Sequence, residues 1–240
     1  MNIQQIKTIF EQHANATNAA FATKYMRNLF PHYGVPSKDR DKLFKPLFDK
    51  KNEPIDWELV QNLWDQPMRE MQYIAVWYLH TKKVQLTKTD LHILRELAET
   101  KSWWDTIDSM SGLFGDIVLR DESVKQIVLD WSIDNNYWVR RIALQHQLYF
   151  KSKTDTMLLA TIIKNNFGEK ERSAPSVDGL NQEQNRAFFI NKSIGWALRE
   201  YSKTNPNWVQ EFIEENKDYM AKLSIREGMK HLNRNRGDKK

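Results

Sequence analysis

The stretch IDWELVQNLWDQPMREMQYIAVWYLH, residues 55–80, decides the fold class. Leu59, Leu63, Met68, Met71, Ile74, Ala75, Trp77, Tyr78 and Leu79 recur mostly at i, i+3 and i+4, the spacing that puts apolar side chains on one face of an α-helix. Asp65-Gln66-Pro67 interrupts the pattern, so the stretch reads as helix, short turn, helix. The layout returns between Val124 and Phe150, where Ile127, Val128 and Trp131 precede the turn Asp134-Asn135-Asn136, and Val139, Ile142, Ala143 and Leu144 open the next helix. Ala75 and Ala143 stand 68 residues apart, two periods of about 34, and Asp108 falls near the intermediate step.

Outward from these hairpins, a helix is expected from about Phe188 to Tyr201, ending before Asn205-Pro206, with further helices over Trp208–Glu215 and Met220–Asn233. The chain thus reads as all-α: a HEAT-like solenoid of stacked antiparallel helix pairs, each burying one side against its neighbours and leaving a concave basic face. Residues 1–240 are expected to form a single domain. One stretch departs from the pattern. Gly168 to Arg186 is almost wholly polar, holds Ser173-Ala174-Pro175-Ser176 and Asp178-Gly179, and exceeds the usual length of a connection, so residues 168–186 are expected to be a mobile loop.

Composition narrows the chemistry. With no cysteine, the chain can carry neither a disulfide, a thiolate metal site nor a cysteine nucleophile. The six histidines show no His-Glu-x-x-His or other metal spacing, and the eight glycines never assemble a phosphate-cradling loop. No metal and no cofactor are expected. Thirty-six Lys and Arg against 31 Asp and Glu give +5 and a pI near 9.2, which admits a nucleic-acid partner without requiring one. Neither a signal segment nor an apolar run of membrane-crossing length appears, so a soluble, cytoplasmic monomer without membrane partners is expected.

Two segments carry candidate chemistry. In Ser102-Trp103-Trp104-Asp105-Thr106-Ile107-Asp108, Ser102 and Asp105 have capping-box spacing, which gives Asp105 a structural task at a helix start. Trp103, Ile107, Met110 and Phe114 then form the core stripe, and Trp104 and Asp108 lie one turn apart on a less buried face. In the second segment, Ile190, Ile194, Ala197 and Tyr201 mark the packed face, whereas Lys192, Trp196, Arg199 and Lys203 form a separate stripe. Taken singly, each Trp is accounted for by ordinary packing. Together, a Trp beside a carboxylate and a Trp inside a basic row favour a surface for a sugar-phosphate backbone. Cations also gather at Arg140 and Arg141, at Lys151 and Lys153, and along Lys222, Arg226, Lys230, Arg234 and Arg236, where only Glu227 and Asp238 oppose them.

Lys101 to Asp108, Trp138-Val139-Arg140-Arg141, Ile194 to Tyr201 with Lys203-Thr204-Asn205-Pro206, and Tyr25-Met26-Arg27-Asn28 resemble, in order across most of the chain, the AlkD family of alkylpurine DNA glycosylases. The resemblance implies a HEAT-like solenoid that binds duplex DNA. It also implies hydrolysis of the N-glycosidic bond of cationic purines such as N3-methyladenine and N7-methylguanine without base flipping, in base excision repair. By motif, Trp104 and Trp196 would hold the lesion-bearing deoxyribose and its backbone, and Asp108 would be the catalytic carboxylate. Arg141 would bind phosphate and Tyr25 would add a DNA contact. The 168–186 stretch is longer than in typical members. Two other readings remain open: a HEAT-type protein scaffold without chemistry, and a family member that binds DNA without cleaving it.

Overall fold

The computed structural model describes residues 2–48, 53–168 and 182–237, with thirteen α-helices and no strand among them. Cα proximity divides the chain into two compact units, 1–86 and 87–240.

The first unit holds α1 (Ile3–Gln12), α2 (Ala16–Tyr25), α3 (Ser37–Phe44), α4 (Trp57–Trp64) and α5 (Arg69–Thr81). Its last two helices are the hairpin expected from residues 55–80. Asp56 caps α4 by accepting from Leu59 N, which satisfies one of the amides orphaned at a helix start. The turn is closed by the buried Gln72 side chain, whose Nε2 donates to the Trp64 and Gln66 carbonyls at 2.9 and 2.7 Å. Leu59, Leu63, Met71, Ile74, Ala75 and Leu79 are all buried, so the apolar face seen in the sequence is the packed face.

The second unit holds α6 (Leu91–Glu99), α7 (Trp104–Arg120), α8 (Lys125–Trp131), α9 (Tyr137–Gln145), α10 (Thr156–Lys164), α11 (Gln182–Tyr201), α12 (Pro206–Asn216) and α13 (Lys222–Gly237). Helices α7, α9, α11 and α13 pack in succession, and α8, α10 and α12 brace them from a second layer. Along α7 and α9 the contacts climb together, from Trp103 on Trp138 through Asp108 on Arg141 to Ser111 on Gln145, so these two helices run parallel. A Cβ on Gly115 would lie 2.1 Å from the His146 carbonyl oxygen, which fixes how closely they approach.

Cross-helix partners report the repeat directly. Asp108 and Arg141 are 33 residues apart, Ser111 and Gln145 34, and Asn191 and Ser224 33, in line with the period of about 34. The step from Arg141 to Phe189 is 48, longer by 14 to 15 residues, and the excess falls on the polar stretch expected as a loop. Residues 169–181 of that stretch lie outside the described residues. Its last part differs from expectation: 182–186 open α11, six residues before the expected start at Phe188. No helix among the described residues is long and apolar enough to cross a membrane.

Candidate active site

The start of α7 sets the first half of the site. Trp103 is the N-cap, in extended conformation, and no side chain caps the helix. The expected capping box does not form, because the Ser102 hydroxyl donates to the Ala98 carbonyl behind it at 2.7 Å. Lys101, held at φ 48°, turns the chain there. Asp105 instead lies in the first turn, where a negative charge meets the positive end of the helix dipole. Trp103, Ile107, Met110 and Phe114 are buried as expected, and Trp103 packs edge-on against Trp138 and Phe189 at 5.8 and 5.2 Å. Trp104 and Asp108 emerge half-buried on the adjoining face.

Asp108 is held from α9. Arg141 Nε donates to its Oδ1 at 2.7 Å and Nη2 to its Oδ2 at 2.9 Å, a two-pronged bond that fixes the plane of the carboxylate. The remaining terminal nitrogen, Nη1, donates to the Phe189 carbonyl of α11 at 2.5 Å, and the guanidinium carbon stands 5.6 Å from the Phe189 ring. The family resemblance implies a phosphate contact for Arg141, whereas the structure pairs it with Asp108. Its side chain is 4% exposed against 16% for Asp108, so the cation is the inner member of the pair and the carboxylate the outer one. One turn on, a second polar rung repeats the first, with the Ser111 hydroxyl 3.1 Å from Gln145 Oε1. Gln145 Nε2 and the buried Ser193 hydroxyl have no partner among the described residues. Ser193 follows Phe189 by four residues just as Gln145 follows Arg141, which sets both at the level of this rung.

The second half lies on α11 and α13. Ile190, Ile194 and Ala197 are buried, Tyr201 is half-buried edge-on to Trp208, and Lys192, Trp196 and Arg199 are half-buried on their own stripe. Gly195 lets α13 come close, since a Cβ there would meet Glu227 Cβ at 2.4 Å. Glu227 thereby becomes a hub. Its carboxylate takes Lys192 at 2.8 Å, Lys230 at 2.6 Å and Arg199 at 2.9 Å. Burial alone would raise its pKa, yet the hydrogen bonds and charges of Lys192 and Lys230 outweigh that and hold it down at about 2. Lys203, in the turn just after α11, is tied back to Glu200 in the helix's last turn at 2.7 Å, and Arg226 is exposed. Tyr25, in the first unit, is exposed and stacks on Phe21 at 6.4 Å.

Sequence reading missed three groups. Phe189 contributes through its carbonyl, which no side-chain pattern reveals, and Gln145 through a cross-helix bond to Ser111, 34 residues away, which no local spacing signals. Glu227, the lone acid within the basic run from Lys222 to Arg236, is visible in the sequence as an opposing charge, but not its three cation partners. No group of three or more His, Asp or Glu among the described residues is arranged to hold a metal ion.

Helix pairs that repeat every 33 to 34 residues, with an oriented carboxylate between α7 and α9 and ordered cations on α11 and α13, define the class: a helical-repeat protein. The chain belongs to the DNA alkylation repair enzyme family, whose profile matches residues 6–232. It is similar to a solved structure described as a predicted DNA alkylation repair enzyme from Enterococcus faecalis, with 29% identity and a TM-score of 0.77 over 92% of this chain and 97% of that one. No curated protein matches it. Membership makes DNA its partner and alkylation repair its role, and the shared fold is that of an α-solenoid.

Proposed function

We propose that the chain acts as a single-domain DNA N-glycosylase, a cytoplasmic monomer that hydrolyses the C1′–N bond of N3-methyladenine, N7-methylguanine and similar cationic purines in duplex DNA. The observation that carries this reading is the Asp108 carboxylate, fixed in plane by a buried arginine, left partly open, and set one turn from Trp104.

An N-alkylated purine already bears a positive charge. When the C1′–N bond breaks, its electron pair leaves with the purine, which departs neutral and needs no proton. The positive charge moves to C1′ and the ring oxygen of the sugar, and stabilising it is the main task left to the protein. A preorganised carboxylate does so electrostatically, and aromatic faces at Trp104 and Trp196 add attraction toward the same charge. Water then bonds to C1′ and loses a proton to solvent, leaving an abasic sugar. Asp108 can orient that water, as carboxylates do in glycoside hydrolysis. The charge already on the base supplies the activation, so the step calls for no cofactor, and a lesion that leaves so readily need not be extruded into a pocket.

Arg141 serves here by orienting Asp108, because its guanidinium is already engaged on three acceptor atoms. Phosphate binding falls to Lys192, Arg199 and Lys230, with Lys203 and Arg226 as outer contacts, and Tyr25 is a DNA contact of the first unit. The test is to incubate the protein with duplex DNA bearing N7-methylguanine or N3-methyladenine and identify the released base. Binding without release would leave a non-catalytic family member, and neither binding nor release would favour a protein scaffold.

A further inference from the structure

Helix spacing puts Lys192 one turn before Trp196 and Arg199 one turn after it, so the aromatic ring is flanked by two cations along α11. Long cationic side chains on a solvated helix ordinarily sample many rotamers, and fixing each one carries an entropic cost. These two are not left to sample. Both reach across to the same carboxylate on α13, Lys192 at Oε1 and Arg199 at Oε2, while Lys230 reaches Oε1 from within α13. The exposures are graded: the Glu227 side chain is 4% exposed, while Arg199, Lys192 and Lys230 are 29%, 37% and 46% exposed. The acid is thus the floor and the cations the rim, and one negative against three positive charges leaves an excess of +2 facing outward. Gly195 permits this floor, since any side chain there would collide with Glu227 Cβ.

We infer that Glu227 is a positioning residue, whose buried carboxylate holds Lys192 and Arg199 on either side of Trp196 as a preformed seat for the two phosphates flanking the nucleotide that packs on that ring. Lys230 completes the rim. The inference rests on the duplex-DNA reading above and adds the group that organises it. Charge alone gives the opposite expectation: an acid beside a phosphate site weakens binding, and removing it raises the net charge above +5. The sign of the effect therefore separates the two accounts.

The experiment measures affinity for an undamaged duplex as a function of salt in the wild type, Glu227→Asp and Glu227→Gln, with far-UV circular dichroism to monitor folding. Each phosphate neutralised contributes a slope of about −0.9 in log K against log salt. Glu227→Asp keeps the charge but withdraws the carboxylate by one methylene, and Glu227→Gln keeps the reach but drops the charge. Both are expected to make the slope shallower by about two phosphates and to weaken binding on the order of 10-fold. Single-turnover excision at saturating enzyme should stay near the wild-type rate, with a higher half-saturating concentration, because phosphate contacts serve ground and transition states alike. Tighter binding by Glu227→Gln, or an unchanged slope in Glu227→Asp, overturns the inference. If neither variant folds, Lys192→Gln against Lys203→Gln decides it: equal losses overturn the seat, and a loss of about one phosphate from Lys192→Gln with a clearly smaller one from Lys203→Gln supports it. A wild type whose binding to DNA is absent or independent of salt instead overturns the duplex-DNA reading itself.

Discussion

Two carboxylates in the second unit meet arginine and lysine in opposite arrangements. At α7 and α9 the cation is inside: Arg141 is 4% exposed and Asp108, at 16%, is the end that faces outward. At α11 and α13 the acid is inside: Glu227 is 4% exposed beneath three cations. The same pairing chemistry thus gives one face a negative tip and the next a positive rim. A sugar that develops positive charge is served by the first, and a phosphate that already carries negative charge by the second. What each ion pair presents depends on which partner is buried, and counting ion pairs would have missed the distinction.

The largest effect should come from removing the negative tip. Asp108→Asn keeps shape and two-pronged hydrogen-bonding capacity in part but loses the charge that opposes the sugar cation. Excision of N7-methylguanine under single turnover is expected to fall on the order of 10²-fold or more, with duplex binding largely kept. Asp105→Asn is the matched control one turn-face away. It should excise normally and lose about 0.5 kcal/mol of stability at the helix start. If Asp105→Asn were the inactive one, the assignment of faces along α7 would be reversed.

Turning the first pair inside out comes next. Arg141→Met removes the buried cation, leaving Asp108 without its partner and the Phe189 carbonyl without its donor. Breaking a pair of this kind costs on the order of 3 kcal/mol, discounted somewhat because Asp108 is partly open. Chemical denaturation should show that loss, and excision should fall even where the variant remains folded, because the carboxylate is no longer held in plane. A folded Arg141→Met with wild-type excision would mean that Asp108 needs no orientation.

Acid should also discriminate between buried groups. His146 is fully buried, its pKa lowered by desolvation from 6.5 to about 4 despite the hydrogen bond to the Ala143 carbonyl. Between those values the unfolded chain binds a proton that the folded chain refuses, so stability rises with pH across that window and is lost as pH falls through it, by on the order of 3 kcal/mol. Glu227 acts lower. Its folded pKa of about 2 lies below the ordinary 4.5, so its contribution is present above 4.5 and fades as pH falls toward 2. Denaturation midpoints across pH 7 to 3 for the wild type and His146→Gln would separate the two, because the variant should lose only the upper slope.

These contrasts also mark what the sequence could disclose. Residues 55–80 were readable because their packing is local: apolar spacing within one hairpin fixes which face is buried. The stripe Trp103, Ile107, Met110 and Phe114 was readable for the same reason, and with it the emergence of Trp104 and Asp108 on the next face. The repeat of about 34 survived because successive helices pack in register. Where two local options compete, reading failed. The Ser102 hydroxyl had both a cap and the Ala98 carbonyl available, and the left-handed turn at Lys101 chose between them. It failed also where partners are far apart in sequence. Arg141 resembles any surface arginine until Asp108, 33 residues before it, and Phe189, 48 after, enclose it.

The smallest effect tests whether the positive rim depends on its hub or only on the number of cations. Lys203 continues the Lys192, Trp196 and Arg199 stripe by spacing, but it lies in the turn after α11 and its ammonium is bound back to Glu200 and not to Glu227. Such a surface pair, with Lys203 half exposed, contributes a few tenths of a kcal/mol to stability. It also leaves the ammonium near neutral surroundings, whereas Lys192 shares one acid with two other cations. Lys203→Gln is therefore expected to melt within about 0.5 kcal/mol of the wild type and to shift the salt slope by less than one phosphate, about 0.9 at most. Lys192→Gln should remove that full increment. Equal losses from the two would show that the stripe binds by charge count alone, and that the carboxylate beneath Lys192 adds nothing to where its charge is held.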